Sequence, residues 1–296
     1  MNKIYIINAP KRSGHHAFIN SLLIRNQSPF IFINNPAPRG NSPYQIKRIS
    51  KAPELRFNLN NPALQLIKPD EPIEVQKGIF STKDIISRKQ FKMLFNKDNN
   101  LSLVLNFEDS FLKQKEIKEF KNKMSQFLNV SKIYDIKFMR DPLNLFASRL
   151  RRSKFYSEDK SNSSFYSTFN KKEQIQEFEE VKEVFRKYLI FSSQNDEYIN
   201  IDYISWLKDE SYRENLKLQL EIEIGTPIKR ETAHGGGSSF SDKLKTTNDY
   251  SNRFGIFVGT SPFDELVKYF KNEILKYYQG INEDILMEAN QFLKDL

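Results

Sequence analysis

The chain has 296 residues, no cysteine, and a formal net charge of +9 at neutral pH, from 46 Lys plus Arg against 37 Asp plus Glu. The length suits one large α/β domain or two small ones, with a sizeable core, and the missing thiols exclude disulfides, Cys nucleophiles and Cys-ligated zinc. The basic excess favours anionic partners such as nucleotides, acidic glycans, nucleic acid or anionic lipid, without choosing among them.

Lys3-Ile4-Tyr5-Ile6-Ile7-Asn8, bounded by Pro10, predicts a buried strand. Its apolar run is too short for a signal peptide or anchor. No later stretch approaches the ~18 apolar residues of a spanning helix, so the expectation is a soluble, cytoplasmic protein. Ala17 to Ile24 has helical spacing, and Phe30 to Ile33 is a second strand candidate. From Asn34 to about Ile79 the sequence is rich in Pro, Asn and Lys, which predicts an irregular insertion of the kind that shapes clefts. Lys83 to Phe95 looks helical.

Leu101 to Phe107 predicts a buried strand, with Glu108, Asp109 and Ser110 just beyond it. A helix follows from Phe111 to Leu128, a strand from Ile136 to Met139, and a helix from Pro142 to Arg151 with Pro in its first turn. A variable segment, about 150–170, precedes a charged amphipathic helix at 171–191. Tyr198 to Asp202 predicts a strand, Tyr212 to Ile224 a helix, Gly235-Gly236-Gly237-Ser238-Ser239 a mobile loop, and Phe263 to Tyr278 a last clear helix. Strands alternating with helices predict a single α/β domain over 1–296, with a mostly parallel central sheet and helices on both faces.

The densest chemical signal is Ala9-Pro10-Lys11-Arg12-Ser13-Gly14-His15-His16, between the first strand and the first helix. A helix N-terminus offers N–H donors and partial positive charge to phosphate. Gly14 allows close backbone approach, Lys11 and Arg12 add charge, and Ser13, His15 and His16 add donors. The nucleoside triphosphatase pattern GxxxxGK[ST] is absent, so the loop is expected to hold a nucleotide without a metal. The second signal is Phe138-Met139-Arg140-Asp141-Pro142 running on to Ser148. An Arg at a strand end can fork onto a phosphate, and a Ser two turns into the following helix can meet the same group.

Both segments resemble those of sulfotransferases that use 3'-phosphoadenosine 5'-phosphosulfate. Arg12-Ser13-Gly14-His15-His16 is similar to their Arg-Ser-Gly-Thr-Thr form of the 5'-phosphosulfate loop, as in tyrosylprotein and carbohydrate sulfotransferases, with two His in place of Thr-Thr. Arg140 and Ser148 fall at the spacing of the 3'-phosphate segment. Asn200 to Leu207 looks like a further family segment, although Ile204 stands where the acidic residue is usual. The resemblance implies a P-loop-like fold and transfer of a sulfuryl group to an acceptor hydroxyl or amine on a carbohydrate or other small or lipid-linked molecule.

It also implies donor contacts from Lys11, Arg12, Ser13, Gly14, His15, His16, Arg140 and Ser148, no metal, and a C-terminal loop bearing Ser238, Ser239, Phe240 and Arg253 that closes over the donor. Arg12 is then the charge stabiliser. Glu108 is the expected base, with Asp109 and His16 as alternatives, and His234 is expected to be incidental. The competing expectations are a metal-dependent P-loop kinase and a basic nucleic-acid binder without catalysis. The first lacks its Lys-Ser/Thr pair, and the second lacks an aromatic-interleaved basic motif. The acceptor and the oligomeric state are not readable from these residues.

Overall fold

The computed structural model describes residues 3–25, 30–34, 55–58, 102–109, 111, 114–127, 130–150, 171–194, 197–225, 254–279, 289 and 291–294. Outside them lie most of the expected insertion at 34–79, the helix at 83–95, the variable segment beyond 150, Ser110, His234, the glycine loop, Phe240 and Arg253.

Strand β1 (Lys3–Ala9) enters helix α1 (His15–Arg25) through a five-residue loop. There follow β2 (Phe30–Asn34), β3 (Leu55–Asn58), β4 (Ser102–Glu108), α2 (Gln114–Phe127), β5 (Lys132–Met139) and α3 (Pro142–Leu150). The chain continues with α4 (Lys171–Ser193), β6 (Ile199–Asp202), α5 (Tyr203–Lys208), α6 (Glu210–Leu220), a 3-10 turn (Phe254–Ile256), α7 (Ser261–Tyr269) and α8 (Lys271–Tyr278). The sheet runs β3-β2-β4-β1-β5-β6, and every pairing is parallel except β2 with β3. This is the expected α/β class. Among the described residues, no helix is long and apolar enough to cross a membrane.

Side chains alternate across a strand, and the two faces separate cleanly. Tyr5, Ile7, Val104, Ile136 and Phe138 pack with Phe18, Ile19 and Leu22 of α1 and with Trp206, Leu216 and Leu220. Lys137 points the other way and donates from Nζ to the carbonyls of Ser192 (3.1 Å) and Gln194 (2.9 Å), at the end of α4. Lys121 of α2 pairs with Asp135, one residue out of phase with Ile136 and so on that same second face. Thus α1 covers one face, and α2 and α4 cover the other.

The strand order gives these faces a consequence. From β1 the chain crosses by α1 to β2 on one side, and from β4 it crosses by α2 to β5 on the other. Neighbouring parallel strands whose exits diverge in this way open a crevice at their carboxyl ends. Here those ends carry the loop 10–14 and Glu108.

Several boundaries have local causes. Asp141 caps α3 by accepting from the Asn144 N–H at 2.9 Å, and Asp202 caps α5 by accepting from the Ser205 N–H at 2.8 Å. Asp209 caps α6, and Glu221, in the left-handed region, ends it. The stretch expected as one helix from 263 to 278 is two, because buried Phe270 leaves helical geometry (φ −106, ψ 19) and serves as C-cap of α7 and N-cap of α8.

Candidate functional site

The loop between β1 and α1 is held in an unusual backbone shape. Arg12 has φ 69 and Gly14 has φ 93, and the Ser13 N–H donates to the Pro10 carbonyl at 3.2 Å. A non-glycine residue in the left-handed region costs about 1–2 kcal/mol, so Arg12 needs a compensating contact. Arg140 provides it: its Nη1 donates to the Arg12 carbonyl at 2.7 Å. A hydrogen bond to a charged group contributes about 1.5–3 kcal/mol, enough to offset the strain.

Gly14 is required for a second reason. A Cβ built there would lie 2.4 Å from Cε2 of Tyr203. The same ring sits under the Arg140 guanidinium, 5.1 Å from its Cζ. Arg140 itself is only 1% exposed, and no described group accepts from its Nε or Nη2. A buried guanidinium with two donors unmatched among the described residues has the chemistry to receive an anion. Ser148, the other residue expected at the 3'-phosphate, is buried in α3 at 2% exposure. No hydrogen bond joins it to Arg140.

Across the crevice, the end of β4 supplies two carboxylates with different roles. Asp109 (φ 54) donates its N–H to the Ala9 carbonyl. Its side chain accepts the Lys11 N–H at 2.9 Å, pairs with Arg149, and has the Lys11 ammonium 3.9 Å away. Asp109 therefore clamps the loop and balances cations. Its hydrogen bonds and charge pairing with Lys11 and Arg149 count against the alternative role of base.

Glu108 is the last residue of β4, where the sequence predicted it just beyond the strand. One oxygen, Oε1, accepts from Nε2 of His15 at 2.9 Å and from Nε2 of His16 at 2.8 Å. The imidazole centroids are 4.3 Å apart, and Ser13 Oγ lies 2.9 Å from His15 Nδ1. Burial raises the Glu108 pKa, but the hydrogen bonds from the two imidazoles outweigh it and hold the carboxyl well below its usual range. A carboxylate held so firmly ionised is a weak proton acceptor. Burial, then the neighbouring His16, push His15 down, with Glu108 opposing, so His15 is neutral at neutral pH. Its Nε2 carries the proton given to Glu108, and Nδ1 accepts from the Ser13 hydroxyl. With Ser13 at 0% exposure, that hydroxyl orients His15 and is closed to attack on a substrate.

The structure thus brings together Lys11, Arg12, Ser13, Gly14, His15, His16, Glu108 and Arg140, with Ser148 buried on the helix α3 that follows Arg140. Arg253 lies outside the described residues, although the chain re-enters the described part at Phe254, whose N–H donates to Asn144 Oδ1 at 3.2 Å. Sequence reasoning missed Tyr203 and Arg149. Arg149 had a signal, standing beside Ser148 in the motif already singled out. Tyr203 lies in the Asn200–Leu207 segment already singled out, but its contact with Gly14 joins the ends of β1 and β6, which no local spacing shows.

Compared with family models, with curated proteins and with solved structures, the chain finds no match in any of the three.

Proposed function

We propose that the protein is a sulfotransferase, moving the sulfuryl group of 3'-phosphoadenosine 5'-phosphosulfate to an acceptor hydroxyl. One observation carries the reading. The loop 10–14 rests on Arg140, a guanidinium buried beneath it with Nε and Nη2 unmatched by any described acceptor. That pairing of a helix N-terminus with a buried forked cation suits a nucleotide carrying more than one phosphate.

The chemistry assigns a role to each group. The acceptor oxygen attacks sulfur in line, the S–O bond to the 5'-phosphate breaks, and adenosine 3',5'-bisphosphate leaves with the electron pair. Arg12 and the N-terminus of α1 stabilise the negative charge on the sulfuryl and leaving oxygens. The acceptor proton goes to His16, which is 30% exposed at its side chain, whereas His15 is buried. Because His16 Nε2–H is given to ionised Glu108, Nδ1 is the basic atom. Glu108 then orients and supports the base in place of acting as one.

Isothermal titration with adenosine 3',5'-bisphosphate in EDTA tests the reading. Micromolar binding that weakens at least tenfold in Arg140→Lys is the expected result. No binding would overturn it, and stabilisation by ATP only with Mg²⁺ would replace it with the kinase reading.

A further inference from the structure

Two imidazole nitrogens and a carboxylate oxygen converge at the carboxyl end of β4. His15 Nε2, His16 Nε2 and a Glu108 oxygen all lie within 4.8 Å of one another, and both nitrogens touch the same oxygen, Oε1, at 2.9 and 2.8 Å. With metal–ligand bonds of about 2.0–2.2 Å, the edges of a tetrahedral site are roughly 3.4 Å. The two imidazole–carboxylate pairs, at 2.9 and 2.8 Å, are therefore roughly half an ångström short of coordination spacing, a shift that rotation of the Glu108 carboxylate can supply. We propose that His15, His16 and Glu108 form a binding site for a divalent transition-metal ion of the Zn²⁺ class.

The donor set selects the ion. Two imidazoles and one carboxylate suit Zn²⁺ and its neighbours, whereas Mg²⁺ and Ca²⁺ take all-oxygen shells. Three ligands leave a coordination position for water or an anion oxygen. The surroundings also suit a metal. Ser13 Oγ sits 2.9 Å from His15 Nδ1, where it can accept from Nδ1–H and turn the Nε2 lone pair toward the ion, the usual outer-shell device. All the groups stand on the end of β4, the first turn of α1 and the loop from β1 that precedes it, so the ligands are held by the sheet.

The site holds whether or not the protein transfers sulfate. Its consequence for activity does rest on that reading. An ion on His16 Nε2 requires Nδ1 to carry the proton, which removes the base, so metal and turnover exclude each other. This departs from the metal-free expectation drawn from the sequence, which weighed only Cys ligands and the Lys-Ser/Thr pattern.

The experiment is a titration of EDTA-dialysed full-length protein with Co²⁺, followed by its visible d–d absorption, and then displacement by Zn²⁺ against a chromogenic chelator. One equivalent of Co²⁺ with a tetrahedral-type band, displaced by one equivalent of Zn²⁺, is expected. Binding should weaken at least a hundredfold in His16→Gln and Glu108→Gln, and 10–100-fold in Ser13→Ala, while His234→Gln binds as the wild type does. Circular dichroism checks that each variant is folded, and Ser13→Ala carries the test if the ligand variants are not. Absence of stoichiometric binding, or equal binding by wild type and Ser13→Ala, overturns the proposal. Failure to bind adenosine 3',5'-bisphosphate would overturn the transfer reading and leave the Co²⁺ result standing.

Discussion

Arg140 Nη1 donates to the carbonyl oxygen of Arg12 at 2.7 Å, joining the end of β5 to the middle of the loop that follows β1. The bond fixes the one non-glycine residue of that loop whose backbone is left-handed, and it does so from a side chain that solvent barely reaches. Tyr188 holds Arg140 in turn, since its hydroxyl bonds both the N–H and the carbonyl of that residue. A helix on one face of the sheet is thereby linked to the loop 10–14.

Arg140→Lys keeps the charge and loses the fork. A single ammonium cannot serve the Arg12 carbonyl and an anion from separate nitrogens. Losing the Arg12 bond should cost about 1.5–3 kcal/mol, a fall of several degrees in Tm for a chain of this size. Affinity for adenosine 3',5'-bisphosphate should drop at least tenfold by calorimetry. If Tm falls and affinity does not, Arg140 is structural only.

Gly14→Ala should be among the costliest single-methyl additions in the molecule. The left-handed backbone alone costs an alanine about 1–2 kcal/mol, and the new methyl meets the Tyr203 ring at 2.4 Å. Overpacking of that kind adds about 1–3 kcal/mol, because Tyr203 is itself buried. Urea unfolding should show a loss above about 2 kcal/mol. In Gly14→Ala/Tyr203→Leu the clash is relieved, so the pair should cost less than the sum of the singles. Strict additivity would mean that the ring does not press on Gly14.

Asp141 links stability to pH. Burial raises its pKa above the usual carboxylate range, with Arg140 and the hydrogen bonds from Asn144 and Tyr278 opposing. A group raised in the folded state binds its proton more tightly there than in the unfolded chain. Its protonation therefore stabilises fully below the unfolded value of about 3.9, and that contribution is lost as pH rises through the folded value. Asp141→Asn keeps an oxygen to cap α3 and has no proton to lose. Relative to wild type it should gain stability as pH rises from about 4 toward neutrality, measured by urea unfolding across that range. A difference that stays flat with pH would mean that the buried carboxyl titrates normally.

The scaffold was legible in the sequence where local patterns decide structure. The apolar run before Pro10 and the Arg-Asp-Pro stop after β5 placed both ends of the loop support, and Lys11 to His16 marked the site. Legibility failed where partners lie far apart along the chain. Glu108 meets His15 and His16 across more than 90 residues, so no spacing rule could show that its oxygen is already engaged. Asp109 likewise reads as a free carboxylate until Arg149 and Lys11 arrive beside it. The break at Phe270 carries no Gly or Pro, and arises where the residue is buried against Phe146.

The division of labour between Glu108 and His16 gives the sharpest kinetic test. If Glu108 only orients His16 and fixes its tautomer, the two act as one unit, and groups that act as a unit give non-additive losses. Glu108→Gln removes the charge that locks Nε2–H, and should lower sulfuryl-transfer kcat about 10²–10⁴-fold. His16→Gln removes the base itself, and should lower kcat at least as much. The double variant should then be no slower than His16→Gln alone. Donor affinity should stay within about threefold throughout, a change worth well under the 1.4 kcal/mol of a tenfold step, because the proposed reading assigns the phosphates to Arg12, Arg140 and the N-terminus of α1. The measurements belong in EDTA, so that an ion on the same three side chains does not hide the comparison. Multiplicative losses would instead make Glu108 an independent proton acceptor and return the base to the end of β4.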